Sequence, residues 1–208
     1  MKQVVRAAFV AVALLTGLTA QAALVKFRVT GLVTESWTFD DGTTVPAETP
    51  VVISYTYETR QTSTSLDRRE DGSGYAVYDI MSPYHFKLRV GHHRVRAAAG
   101  YRATLTNDLN APFGDTFELE TLGGAYVDGT LLAGGKLTLS LLSNPGSTGA
   151  LHSLRLPKHL KEWSFDAFRV GHLWRDSNQP LLSFAITGVK SSVCAEAIPG
   201  TDECATDD

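Results

Sequence analysis

The sequence predicts an all-β fold, a single antiparallel β-sandwich or jelly-roll-like domain with one short helix. Three observations carry that expectation. Apolar and polar residues alternate with a period of two over much of the chain. The alternating runs are rich in β-branched and aromatic residues. Turn residues separate the runs at close spacing, which builds a sandwich or barrel rather than a βα fold.

The elements follow in order. Phe27, Val29 and Gly31 alternate with Lys26, Arg28 and Thr30 in a first strand. Val52 to Tyr57 reads as a second and Tyr75 to Ile80 as a third. Phe86, Leu88 and Val90 alternate with Lys87 and Arg89. Val95 and Ala97 continue beyond Gly91-His92-His93, which reads as a hairpin turn. Tyr101 to Leu105, Thr116 to Glu120 and Lys136 to Leu141 add three strands, and Phe165 to Trp174 and Leu182 to Val189 close the domain. Turns fall at Asp41-Gly42, Asp71-Gly72, Asn107-Asp108, Gly123-Gly124, Asp128-Gly129, Asn144-Pro145-Gly146 and Gly171. Leu156 to Trp163 is the one helical candidate after the leader, with Pro157 near its start, where proline is tolerated. Phe27 to Gly31 matches Phe184 to Gly188, which predicts two edge-compatible strands that pair, the glycine marking a bulge or a close backbone approach. Glu58 to Gly74 is polar, without apolar periodicity, and reads as mobile.

The first residues point to export. Lys2 and Arg6 give a positive start, Ala7 to Leu18 is uncharged and apolar or small, and Ala20-Gln21-Ala22 precedes Ala23. That order of parts is a secretory signal peptide. The alternative is a buried N-terminal helix or an uncleaved anchor, although the apolar core is shorter than the roughly 20 residues a bilayer span needs. The expected layout is a signal peptide at 1–22, a β domain at 23–193 and an acidic tail at 194–208, in a protein secreted to the periplasm or outside the cell. No transmembrane segment is expected in the processed chain.

The formal charge is −3. Glu196, Asp202, Glu203, Asp207 and Asp208 crowd the tail with no base among them, so the body is close to neutral. A neutral body argues against nucleic-acid binding, which rests on a basic surface. The two cysteines, Cys194 and Cys204, lie in the tail, and an oxidising compartment makes a disulfide between them the default. The alternative is a pair of thiols for a partner protein or a metal.

Catalytic and cofactor motifs are missing. Gly72-Ser73-Gly74 and Gly146-Ser147-Thr148-Gly149 do not make a nucleophile elbow. There is no zincin motif, P-loop, dinucleotide fingerprint or EF-hand loop. No cofactor, metal site or catalytic residue is assigned. Glu118 and Glu120 share a strand face but read as solvent-side residues. Asn107, Asp108 and Asp115, or Asp40 and Asp41, offer oxygens of the kind calcium takes, yet turns use Asn and Asp for backbone reasons.

The sharpest surface feature is basic. Period two places Lys87 and Arg89, then Arg94 and Arg96, opposite the apolar face of the Phe86–Ala97 hairpin, with His92 and His93 at its tip. Four cations on adjacent strands repel one another unless something negative lies nearby. The functional expectation is a site for an anionic glycan or a phosphate-bearing surface, held bidentately by arginine. The plainer expectation is a solvated face balanced by Asp67, Glu70 and Asp71 or by the tail. Trp37, flanking the Asp40-Asp41-Gly42 turn beside Phe39, is a further sugar-stacking candidate, whereas Trp163 and Trp174 are expected to fill the core.

The layout resembles the exported β-sandwich proteins associated with the PEP-CTERM sorting system of Gram-negative bacteria. The likeness lies in the leader followed at once by Phe27 to Gly31, the Ser54-Tyr55-Thr56-Tyr57-Glu58 strand, and the charged loop ending in Gly74-Tyr75. It continues through Phe86 to Gly91, the Thr106-Asn107-Asp108 turn with Asp115-Thr116-Phe117, Leu154 to Pro157, and the Phe184 to Val189 strand. The Pro-Glu-Pro signal, apolar helix and basic end of that family are missing here, so the resemblance implies fold and export and brings no site residues. The function expected is a non-catalytic cell-surface or matrix protein that binds extracellular, anionic polysaccharide. The alternatives are a secreted polysaccharide hydrolase and a structural assembly subunit.

Overall fold

A computed structural model of the protein describes residues 23–39, 41–108, 114–132, 134–147, 149–176 and 180–194. The expected signal peptide, Asp40, Cys204 and all of the tail beyond Cys194 lie outside them. The strands are β1 (Leu24–Val33), β2 (Trp37–Thr38), β3 (Thr44–Val45), β4 (Pro50–Glu58), β5 (Ser65–Arg68), β6 (Gly74–Met81), β7 (Phe86–Val90), β8 (His93–Ala97), β9 (Gly100–Asn107), β10 (Thr116–Leu122), β11 (Ala125–Val127), β12 (Thr130–Leu132), β13 (Lys136–Leu142), β14 (Phe168–Trp174) and β15 (Pro180–Cys194). The class is all-β, as the alternation predicts. Thirteen strands make one antiparallel sheet in the order β12-β11-β8-β7-β4-β1-β15-β14-β13-β10-β9-β6-β5, and β2 and β3 pair separately. No helix among the described residues is long and apolar enough to cross a membrane.

The sheet is a single curled one rather than two separate layers. Its halves close on an aromatic core. Tyr55 of β4 stacks on Phe27 of β1 with ring centroids 4.8 Å apart, and across the interior on Phe117 of β10 at 6.2 Å. The Tyr101 hydroxyl on β9 donates to the Thr56 carbonyl on β4. Burying these rings supplies the main driving force for closure, because each removes a large apolar area from water.

The matched pentapeptides do pair. Thr30 faces Gly188, and the register shifts by one between Thr30 and Gly31. Gly31 marks both a bulge and a close approach, since a Cβ there would lie 2.4 Å from the Ala185 carbonyl oxygen. These strands are not edges, however. β1 and β15 occupy the middle of the sheet and join its two halves. Cys194, expected to open the tail, is buried as the last residue of β15 and faces Leu24.

Three expectations need correction. The helix over Leu156 to Trp163 does not form; only a 3₁₀ turn, Glu162–Ser164, is present. Leu151, Leu154, Leu156 and Leu160 are buried from an irregular segment instead. The Pro157 carbonyl, which a helix would use internally, accepts from the Tyr57 hydroxyl, and the Leu154 carbonyl just before the stretch accepts from the Tyr78 hydroxyl. Tertiary hydrogen bonds thus replace helical ones. Gly171 is no turn: it lies inside β14, where a Cβ would sit 2.2 Å from the Phe184 ring. Trp163, expected in the core, is 67% exposed. In addition, the polar stretch Glu58 to Gly74 contains β5, which pairs with β6 at the sheet's edge with all four residues exposed. An edge strand of that kind shows no apolar period because it buries no side chain.

Candidate functional site

The β7–β8 hairpin forms as its pattern predicts. Phe86, Leu88, Val90 and Val95 are buried, while Lys87, Arg89, Arg94 and Arg96 are exposed on the opposite face. Gly91 and His92 make the turn, with φ of 57° at Gly91. The register sets Lys87 directly across from Arg96 and Arg89 across from Arg94. Directly opposed side chains on one face have Cβ atoms about 5 Å apart, inside the screening length of physiological salt.

Neighbouring strands extend this face. Lys87 faces Ser54 on β4, Ser54 faces Arg28 on β1, and Arg28 faces Lys190 on β15. On the other side Arg96 faces Tyr126 of β11 and lies over its ring, 4.4 Å from the centroid. The surface is concave. It encloses about 780 Å³ lined by Arg28, Lys87, Arg89, Arg94 and Arg96 together with His92, Ser54 and Tyr126. Among the described residues none of these five cations forms an ion pair. Arg28 and Lys190 escape sequence reasoning. Their alternation was visible, but only the register shows that they share a face with the hairpin.

Two of the predicted residues do not join this surface. His93 is not at the tip: it opens β8, is 1% exposed, and lies beneath Phe39 with ring centroids 4.1 Å apart. Its Nδ1 is 2.7 Å from Asp128 Oδ2, and Asp128 Oδ1 accepts from the Arg94 amide. Burial pushes the Asp128 carboxyl up, but the hydrogen bonds from Arg94 and His93 outweigh it and hold the group below the usual carboxylate range. The acid on the rim is therefore committed to the buried imidazole and a backbone amide. Trp37 sits in the separate β2–β3 ribbon, half-buried against the core and with its indole nitrogen enclosed, so it offers no platform to this face. Phe39, expected to flank an exposed turn, is buried.

The acidic loop does not balance the face either. It lies at the β5–β6 end of the sheet order. Asp71 there accepts from the hydroxyl and amide of Ser73, which lower its carboxyl. Elsewhere the same sheet alternates its signs. Asp79, Arg102 and Glu120 stand in one cross-strand row, with Arg102 bonded to Asp79 at 2.7 Å and Lys136 3.9 Å from Glu120. Exposed charges are thus paired across the strands on that half, whereas the rows through β7 and β8 set cation against cation.

The oxygen-ligand candidates serve the backbone. Asp41 accepts from the Thr43 amide. Asp115, fully buried, accepts from the amides of Asp108, Gly149 and Leu151. Among the described residues no three His, Cys, Asp or Glu side chains gather to hold a metal ion. Asp108 differs. Its Oδ1 is enclosed and has no hydrogen-bond partner among the described residues, and burial, with Asp115 and Asp71 nearby, raises its carboxyl. It lines a second cleft of about 620 Å³ with Asp71, Asn107, His152 and Arg155. Compared with known proteins, the chain matches no family model, no curated protein and no solved structure.

Proposed function

We propose that this protein is an exported, non-catalytic surface or matrix protein that binds an anionic polysaccharide across the outer face of β1, β4, β7 and β8. One observation carries the reading: five cations line one concave surface with no acid paired to any of them among the described residues. Like charges set directly opposite one another destabilise a sheet. A ligand carrying regularly spaced carboxylates relieves that repulsion and gains bidentate arginine contacts. The leader, the resemblance to exported sandwich proteins and a Cys194–Cys204 bridge in an oxidising compartment belong to the same reading.

The test is retention of the processed chain on immobilised polygalacturonate against neutral dextran. Retention on polygalacturonate alone, lost as salt shortens the screening length, is expected. Equal passage through both, or preference for duplex DNA over the polyuronate, overturns the reading.

The second cleft supports a second reading, a polysaccharide hydrolase with Asp108 as acid and Asp71 as the ionised partner. Environments that push two carboxyls apart assign such roles, and these two shift in opposite directions. Asp108→Asn separates the readings. Because the folded state raises this carboxyl, Asp108 costs stability increasingly as pH climbs from its ordinary range through the raised value. The asparagine variant is therefore expected to melt higher than wild type at pH 7, with the gain gone below about pH 3.8, where both side chains are neutral. If the cleft hydrolyses polygalacturonate, the same variant stops the release of reducing ends while column retention stays. A wild-type chain that releases none ends the hydrolase reading.

A further inference from the structure

We infer that residues 195–208 dock on the β1–β15 end of the basic face, where the acidic segment of the chain itself competes with an outside polyanion. Directly opposed residues in a sheet share a face. Arg28 faces Lys190, Lys26 faces Ser192, and Leu24 faces Cys194. Phe27, Val29 and Val189, in the intervening register positions, are buried in the main core. Cys194 therefore leaves the sheet on the outer side, the side of Lys26, Arg28 and Lys190. Leu24 and Cys194 are both buried on that outer side, yet neither belongs to the main core. Glu58, next in the Leu24 row, is engaged by the Tyr84 hydroxyl.

Length and charge fit the docking. Lys190 lies about 13 Å back along β15 from Cys194, at roughly 3.3 Å per residue, so four or five residues returning over the face reach it. Five acids follow Cys194 with no base among them: Glu196, Asp202, Glu203, Asp207 and Asp208. Joining Cys194 to Cys204 removes two protons and two electrons from the thiols, taken up by a dithiol–disulfide carrier of the export compartment. The bridge holds the two Cα atoms about 4.4–6.8 Å apart. Asp202 and Glu203 are then confined beside Lys26 and within reach of Arg28.

The inference leans on the proposed function only for the identity of the competitor. The test uses the processed chain, the same chain with Glu196→Gln, Asp202→Asn, Glu203→Gln, Asp207→Asn and Asp208→Asn, and that neutralised chain with Arg28→Glu and Lys190→Glu added. One probe is a fluorescent peptide of residues 195–208 with Cys204→Ser; the other is polygalacturonate. The peptide is expected to bind the neutralised chain, to bind wild type at least about fivefold more weakly, and to lose binding when Arg28 and Lys190 are reversed. Polygalacturonate is expected to bind the neutralised chain about fivefold more tightly than wild type. A peptide that ignores the neutralised chain, or that binds it regardless of Arg28 and Lys190, overturns the docking. Polygalacturonate that binds no variant, beside a peptide that binds as expected, overturns the proposed function and leaves the docking standing.

Discussion

Reversing Arg94 and Arg96 together to glutamate abolishes retention on polygalacturonate and leaves the fold at least as stable. Both residues are exposed and line the concave face. A charge-assisted hydrogen bond contributes about 1.5–3 kcal/mol, so losing two of them weakens binding by on the order of a hundredfold or more. The reversed side chains then repel the ligand as well. Stability moves the other way. Arg96 faces Lys87 and Arg94 faces Arg89, so reversal turns two like-charge pairs into opposite-charge pairs, each contributing about 0.2–1 kcal/mol. The lost contact of Arg96 with the Tyr126 ring offsets part of that gain. Lost retention beside an unchanged or higher melting temperature is the signature of a face shaped for a ligand. Unchanged retention sinks the idea.

Gly171→Ala destabilises the domain by about 3 kcal/mol, through the Phe184 ring. An alanine Cβ at this position would lie 2.2 Å from Phe184 and 2.9 Å from the Thr138 carbonyl oxygen. The backbone oxygen is held in the β13–β14 ladder, so the ring must leave its place. Phe184 is 1% exposed, and truncating it costs about 3–5 kcal/mol by itself. The diagnostic is a double-mutant cycle read by chemical denaturation. In the Phe184→Ala background, Gly171→Ala is expected to cost clearly less than in wild type, because the ring clash has gone and only the closer approach to the Thr138 carbonyl oxygen remains. Equal costs in the two backgrounds would show that the ring is not what constrains the glycine. For a chain of this size the single glycine substitution lowers the melting temperature by roughly 6–12 °C.

Much of this architecture was legible in the chain. Lys87 and Arg89 alternate with Phe86, Leu88 and Val90, and that rhythm alone places the cations outward. Asp128-Gly129 reads as a turn and forms one, with φ of 49° and 90° at the two positions. Other elements were hidden because nothing local encodes them. β5 buries no side chain and exists through its backbone bonds to β6. The Leu156–Trp163 stretch carries apolar residues at helical spacing, but tyrosine hydroxyls from outside take the Pro157 carbonyl within it and the Leu154 carbonyl just before it. His93 looked like a second turn residue beside His92, and only the approach of Phe39 and Asp128 draws it under the surface.

The order of polar and apolar residues by itself determined the all-β class, the outward face of each main strand and the basic hairpin. Only the tertiary structure decided that the first and last strands join the halves of the sheet. That junction brings Arg28 and Lys190 into one row with Lys87 and Arg96. The physical reason is that a strand's periodicity is written in its neighbours along the chain, whereas its partner and register are chosen by packing between residues far apart in sequence.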